Sequence, residues 1–451
     1  MPGLPTAAPE THGLRSVDLA RLIDELEDAG LDPHALVVAR HGTVLFRATW
    51  APWSASTPAL VYSVSKTFTA LAIGFLADEG RLDITAPVDR YLSTPNPRGL
   101  TVRHLLTMNT GHDREQTLEL DFSVEELLTS PAAHAPGEYF AYNSPASFVL
   151  SAIVSAITGE SITAYLRPRL FDPLGIGVRY WTPLDDLDQG FSGLHLTVDD
   201  IARVAIALAD DGRFEGRQVI PAWFVDEAAQ AWSDNRDPDD GDGTGDWALG
   251  YGYQVWRSRY GYRLDGAYGQ FGLVVPERGI VIAYQGATTE TNRTMDAFTR
   301  LIEAFGDEPG APGGRSDASS DPSSATPGWT RDSWAARGLL RPQDPPIDVT
   351  GWALVDDGER WRLSIPDLGI VEFGPDAWSS LVVGPPDASL AIAVRGERRE
   401  DGVLVHIATP TSPHRFILTR DGEGLHGGWH TTPLWRPDFD TLRVPRWVID
   451  G

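Results

Sequence analysis

Tyr62-Ser63-Val64-Ser65-Lys66 holds the only lysine in a chain of 451 residues; arginine supplies every other fixed positive side chain. Arginine serves wherever a surface cation is wanted, but it does not release its proton. A buried lysine can. Residues three apart on a helix share a face, so a helix starting near Ser63 brings the Ser63 hydroxyl and the Lys66 amine together. The residues beyond support such a helix: Phe68, Leu71, Ala72, Phe75 and Leu76 form an apolar stripe, and Gly80 follows as a stop signal. At the helix N-terminus, free N–H groups and the positive end of the dipole favour an anion developing beside Ser63. The plainer reading of the same letters is a serine cap followed by a surface lysine.

Outward from this stretch, the chain divides into regions of different pattern. Leu19, Leu22, Ile23 and Leu26 mark an amphipathic helix from Ser16, with Ser16 as its N-cap. A hairpin of Ala35 to Arg40 and Val44 to Trp50 follows, turning at His41-Gly42. The middle reads as helical through Thr101 to Met108, Ser123 to Thr129, Ser144 to Thr158, Ile162 to Leu170 and Val198 to Asp210. Strands return at Tyr251 to Trp256, Tyr260 to Leu264, Gln270 to Val275 and Gly279 to Tyr284, before a helix at Thr291 to Phe305. Early strands, a helical middle and late strands predict an α/β fold: an antiparallel sheet in which the two ends of the domain pair, flanked by helices and carrying an all-helical insertion.

Residues 1–306 are read as this first domain and 307–327, rich in Gly, Pro, Ser and Asp, as a linker. Residues 328–451 repeat short strands with Asp-Gly turns at Asp357-Gly358, Asp401-Gly402 and Asp421-Gly422, the pattern of a small antiparallel barrel or sandwich. More than half of the 15 tryptophans lie there, and burial in that core is the favoured reading over a ligand platform.

The net charge of −26 argues against nucleic acid and anionic membrane as partners. No run of about 18 apolar residues and no basic-then-apolar leader appears, so a cytoplasmic protein is expected. Without cysteine, disulfides, thiolate chemistry and Cys-ligated zinc are excluded. Asp240-x-Asp242-x-Thr244-Gly245 has part of a calcium-loop pattern, but its twelfth position is Tyr251 rather than Glu. The histidines lack H-E-x-x-H spacing, and no G-x-S-x-G elbow is present. No metal and no cofactor is expected.

From Ser63 to Asp89, Ser-Val-Ser-Lys followed by Leu76-Ala77-Asp78-Glu79-Gly80-Arg81-Leu82 and Pro87-Val88 resembles the serine β-lactamase-related hydrolases. These include class C β-lactamases, D-alanyl-D-alanine carboxypeptidases, D-aminopeptidases, esterases and 6-aminohexanoate-dimer hydrolases. The resemblance continues through Leu105 to Gly111, Pro136 to Tyr142 and Leu194 to Val204, covering roughly Ser16 to Phe305. It implies a β-lactamase-like fold and acyl transfer through an acyl-enzyme on Ser63, with Lys66 and Tyr142 sharing its proton; which of the two is the formal base stays open. Tyr142 falls on the tyrosine of a Tyr-x-Asn motif, but Ser144 stands where the asparagine would be. The third motif is represented by Gly266-Ala267-Tyr268-Gly269-Gln270, without the basic residue of many members. By that correspondence the backbone amides of Ser63 and Ala267 form an oxyanion hole, and Ser144, Gly266, Gly269 and Gln270 support the site or bind substrate.

The expected substrate is a small ester or amide rather than a β-lactam or a peptide carboxylate. The C-terminal domain is read as a cap over the site or the means of forming a homo-oligomer. Two alternatives stand beside this reading. One is a non-catalytic ligand-binding or assembly protein of the same fold. The other, a short-chain dehydrogenase, rests on Tyr62-x-x-x-Lys66 and requires a parallel nucleotide-binding sheet upstream, of which the first 61 residues show no glycine-rich signature.

Overall fold

In the computed structural model, alternate residues along the central strands enter two different cores, so these strands read as continuous apolar runs rather than as an alternation. The structure describes residues 3–177, 179–236, 245–306, 347–450 and the backbone of 329–332. Seven strands form the sheet in the order Trp329–Asp332, Thr43–Ala51, Pro33–Arg40, Ile280–Gly286, Gln270–Val275, Gly261–Gly266, Trp256–Ser258. The early and late strands meet at its centre, Val37 opposite Ala283 in antiparallel register. Val37, Ala39, Val281 and Ala283 face the helical middle. Leu36, Val38, Ile280 and Ile282 face the two terminal helices, Ser16–Asp28 and Thr291–Ala304, which pack on each other. Full burial of each such aliphatic side chain stabilises the fold by about 1.5–3 kcal/mol.

The antiparallel sheet, its helices and the helical insertion between residues 64 and 255 match the expected α/β architecture. Several details differ. Arg15, not Ser16, occupies the N-cap of the first helix, and the Ser16 hydroxyl instead donates to Glu10 at 2.6 Å. Of the predicted strand Tyr251 to Trp256, only Trp256 lies in one, Trp256–Ser258, while Tyr251 and Tyr253 are buried core residues. The dehydrogenase reading fails on topology: the sheet around Tyr62 and Lys66 is antiparallel among its strands within residues 33–286. A doubly wound parallel sheet is what nucleotide binding would need.

Residues 307–327, read as a linker, lie outside the described residues. Trp329–Asp332 then adds to the edge of the first sheet, parallel to Thr43–Ala51. The rest of the C-terminal region forms two antiparallel sheets. Three strands, Ala353–Asp356, Trp361–Ile365 and Gly369–Phe373, face five, Ser379–Val383, Leu390–Arg399, Gly402–Ala408, Arg415–Asp421 and Gly424–Trp429. They share one hydrophobic core that includes Trp361, Phe373, Val405, Phe416 and Trp429. Among the described residues the two sheets are not joined into a closed barrel.

A buried ion pair fastens this C-terminal module to the first domain. The Arg415 guanidinium forks onto Asp32, Nη2 to Oδ1 at 2.9 Å and Nε to Oδ2 at 3.2 Å, with both side chains sealed from solvent. Burial alone would raise the Asp32 carboxyl. Arg415 and then His34 outweigh it and hold the group well below the usual carboxylate range. Trp53 Nε1 donates to the Ser412 carbonyl at 3.0 Å and Leu60 N–H to the Thr411 carbonyl at 2.9 Å, so the segment leading to Ser63 is tied to the module as well. Removing one partner from a buried pair leaves an uncompensated charge. Asp32→Asn is therefore expected to lose on the order of 3–5 kcal/mol of unfolding free energy in urea at neutral pH; a loss below about 1 kcal/mol would show that the pair does not hold the module.

Candidate active site

The helix Val64–Asp78 is apolar on nearly every side, and residues 64–76 are all buried. It is a central helix rather than the one-sided stripe that its periodicity suggests. Ser63 stands at its N-cap without a side-chain cap bond, which leaves the hydroxyl free to face the neighbouring cavity. Lys66, one turn on, donates from Nζ to Ser63 Oγ at 2.9 Å and to the Phe191 carbonyl at 2.9 Å. With 2% of its surface exposed, Lys66 has almost no water to solvate a charge. Burial pushes its ammonium down to about 7, against a smaller opposing pull from Asp265.

Tyr142 precedes the helix Ser144–Thr158, whose N-cap is Asn143, its side chain accepting from Ala146 N–H at 3.0 Å. The Tyr142 ring is stacked on Trp256, with centroids 5.4 Å apart, and lies 4.8 Å from Lys66 Nζ. Tyr142, 36% accessible, lines the same cavity as Ser63 and Lys66. Burial raises the phenol above its ordinary value, and the neighbouring Ser63 hydroxyl only partly counters this. Tyr142, distant in sequence, thus joins Ser63 and Lys66 on the wall of one cavity.

The turn after Gly261–Gly266 completes the site. An added Cβ on Gly266 would lie 2.3 Å from the Val61 carbonyl oxygen, so only glycine lets this strand end approach the segment that carries Ser63. Ala267 follows and lines the same cavity as Ser63. Among the described residues neither the Ser63 nor the Ala267 N–H donates to a backbone carbonyl. Tyr268 and Gly269 then take left-handed backbone conformations, φ 66° and 88°. Gln270, buried, reaches back from Nε2 to the Gly286 carbonyl at 2.7 Å, so it braces the turn instead of facing the cavity. Ser144 lines the cavity; Gly266, Gly269 and Gln270 do not line it.

The cavity measures about 280 Å³. Several of its walls have no signature in the sequence motifs. Phe191, Trp247 and Trp256 supply apolar surface from loops and an edge strand, and Leu434 and Trp435 reach in from the C-terminal module. Phe122, Phe191 and Trp435 form an aromatic cluster, Phe122 stacked on Phe191 at 4.1 Å and Trp435 edge-on at 5.4 and 5.6 Å. Two charged residues line the cavity, Lys66 and Asp265. Asp265 pairs with the buried Arg263, Nε to Oδ2 at 2.8 Å. Of the signals that could have pointed to these residues, only the run of tryptophans was visible in the sequence, and it did not say which would reach the site. The Asp240 to Thr244 pattern lies outside the described residues. Among the described residues no cluster of side chains has metal-binding geometry, and no single helix is long and apolar enough to cross a membrane.

A family model described as Beta-lactamase matches residues 19–305. An esterase, EstB, from Burkholderia gladioli is 30% identical over 208 residues, 37% of this chain and 53% of the esterase. A 6-aminohexanoate-dimer hydrolase from Paenarthrobacter ureafaciens is 27% identical over 252 residues, 49% of this chain and 63% of the hydrolase. The matches thus span between half and two thirds of these curated relatives. Among solved structures, an octameric penicillin-binding protein homologue from Pyrococcus abyssi superposes with a TM-score of 0.51 at 15% identity, covering 92% of this chain and 100% of that one. At that identity the likeness speaks for the fold, and its extent takes in C-terminal residues beyond the family match.

Because Lys66 is the only lysine, lysine labelled with ¹³C at Cε gives one side-chain resonance whose titration reads the site directly. A midpoint near pH 7 is expected from its burial. A midpoint near 10, the value of a solvated lysine, would contradict the closed environment.

Proposed function

The chain belongs to the beta-lactamase family, matched over residues 19–305, and on that footing we propose that it is a serine hydrolase of small, uncharged or cationic esters and amides. The observation that carries this reading is the 2.9 Å contact between the Lys66 amine and the Ser63 oxygen in a site that lowers the amine to about 7. With its ammonium pushed down to about 7, Lys66 can be present as a free amine near neutrality and accept a proton. Tyr142, whose phenol is raised, holds its proton and serves as a donor. The division of labour left open by the motif therefore favours Lys66 as base.

In the acylation step Ser63 Oγ bonds to the substrate carbonyl carbon and its proton passes to Lys66 Nζ. The carbonyl π electrons move to oxygen, which accepts from the Ser63 and Ala267 N–H groups. Collapse of this adduct breaks the bond to the leaving alcohol or amine, which takes its proton through Tyr142, itself re-protonated from Lys66. Water then adds to the Ser63 ester with Lys66 again receiving the proton, and the acid leaves as Ser63 regains its own.

Two features support the substrate class. The cavity holds no arginine, its one cationic group, the Lys66 amine, is already bonded to Ser63 and the Phe191 carbonyl, and Asp265 repels a substrate carboxylate. This weighs against efficient turnover of β-lactams and peptide carboxylates. The walls of Phe191, Trp256 and Trp435 suit an apolar or aromatic acyl group. The esterase and the dimer hydrolase among the relatives are in keeping with it. The convergence of Ser63, Lys66 and Tyr142 weighs against a non-catalytic ligand-binding role.

Turnover of p-nitrophenyl esters, D-amino acid amides and a chromogenic cephalosporin tests the proposal. The neutral aryl ester is expected to be the best substrate and the anionic cephalosporin the poorest. Ser63→Ala and Lys66→Arg should each lower kcat by at least about a thousandfold, since arginine keeps its proton. Full activity in Ser63→Ala would defeat the reading.

A further inference from the structure

The backbone amides at Ser63 and Ala267 are each flanked by a tyrosine in a conformation that a side chain adopts at a cost. Tyr62, just before Ser63, has φ 48°, and Tyr268, just after Ala267, has φ 66°. Such left-handed positions for bulky residues persist only where the surroundings enforce them. Both tyrosines are gripped through their hydroxyls, and both grips come from the C-terminal module. The Tyr62 hydroxyl meets His414 Nε2 at 2.5 Å. The Tyr268 hydroxyl donates to the Thr432 carbonyl.

The tautomer of His414 follows from its other nitrogen. Nδ1 lies 2.7 Å from the Thr431 carbonyl, which can only accept, so Nδ1 carries the hydrogen and Nε2 accepts from Tyr62. Burial pushes the His414 imidazolium down to about 3, so this arrangement is retained across the neutral range. The three rings also pack edge to face: Tyr62 on Tyr268 at 5.6 Å, and His414 on both at 5.8 and 5.4 Å. The module itself is anchored nearby by the Arg415–Asp32 pair, and Arg415 adjoins His414 in the chain. Thr431, which accepts from His414, and Thr432, which accepts from Tyr268, lead directly into the cavity wall at Leu434 and Trp435.

We infer that the C-terminal module is a positioning element of the active site: through His414 and Thr432 it clamps Tyr62 and Tyr268, and so fixes the Ser63 and Ala267 amides relative to each other. This rests on the serine hydrolase reading for its catalytic consequence, but the clamp itself is a structural statement that can be read without turnover. His414, Tyr62 and Tyr268 are positioning residues; none of them is assigned contact with the reacting carbonyl. Donors aimed at an oxyanion act only at the right distance, so a loosened pair should lose transition-state stabilisation more than substrate binding.

The test uses the full chain with Tyr62→Phe, Tyr268→Phe, their double variant, and His414→Leu beside His414→Gln. Phenylalanine retains the rings and removes only the hydroxyls. Two readouts are taken: hydrogen exchange of segments 60–66 and 266–272, and kcat and KM on a neutral p-nitrophenyl ester. In the double variant, exchange in these two segments is expected to rise at least tenfold while the core strands 33–40 and 280–286 stay protected. The value of kcat should fall at least tenfold with KM within twofold, and His414→Gln, which retains an acceptor, should recover most of what His414→Leu loses. Unchanged exchange in the two segments overturns the clamp whatever the rates do, and raised exchange with kcat within twofold overturns its role in positioning. Should the double variant fail to fold, the single Tyr268→Phe change decides by the same criteria. Turnover that survives Ser63→Ala would count against the serine reading instead, and exchange would still decide the clamp.

Discussion

The burial of one amine governs this site. Lys66 sits inside an apolar helix with 2% of its surface exposed, and its Nζ has Ser63 Oγ and the Phe191 carbonyl as neighbours. Withdrawal from water disfavours the ammonium and leaves an amine that can exchange a proton near neutrality. The surrounding structure follows from the need to keep that amine dry and aimed. The helix is buried around its whole circumference between the sheet and the helical middle. Gly266 allows the sheet edge to close onto Val61, and Tyr142 covers the amine with its ring. Asp265 offsets part of the desolvation without forming an ion pair to the amine, its carboxylate being held by Arg263.

What the sequence made legible was local. Three residues of helix fix the Ser63–Lys66 distance, and a glycine-rich turn announces itself by composition, so these parts could be read with no knowledge of the fold. Tyr142 and the Ser63 and Ala267 amides could be named only through resemblance to a family, because nothing in spacing says that residues 142 and 267 come near residue 63. The antiparallel sheet was legible from the order of strands, since early and late strands of one domain pair most simply with each other. The walls of the cavity were not. Phe191, Trp247, Trp256 and Trp435 look like any buried aromatic until the chain brings them together, and period and propensity carry no information about contacts between residues hundreds of positions apart. Tyr251 and Tyr253 misled for a related reason: β-favouring residues in an apolar run were pulled into the core by tertiary packing instead of joining a ladder.

The C-terminal region illustrates the same limit more fully. Its strands and Asp-Gly turns could be seen, but its bearing on the site could not. Short segments around residues 411–415 and 430–435 meet the first domain at Asp32, Trp53, Leu60, Tyr62 and Tyr268. Through these contacts the module shares the cavity wall, at Leu434 and Trp435, with the first domain. Its tryptophans divide accordingly: Trp361 and Trp429 fill its own core, while Trp435, 52% exposed, lines the cavity.

Central to this account is a covalent bond at Ser63. Turnover of a slowly hydrolysed p-nitrophenyl ester, quenched with acid and followed by intact and peptide mass measurement, detects it directly. The account predicts one acyl group per chain, carried on the peptide that contains Ser63. Steady release of p-nitrophenol with no acyl group on the chain, or with the acyl group on another residue, would contradict it.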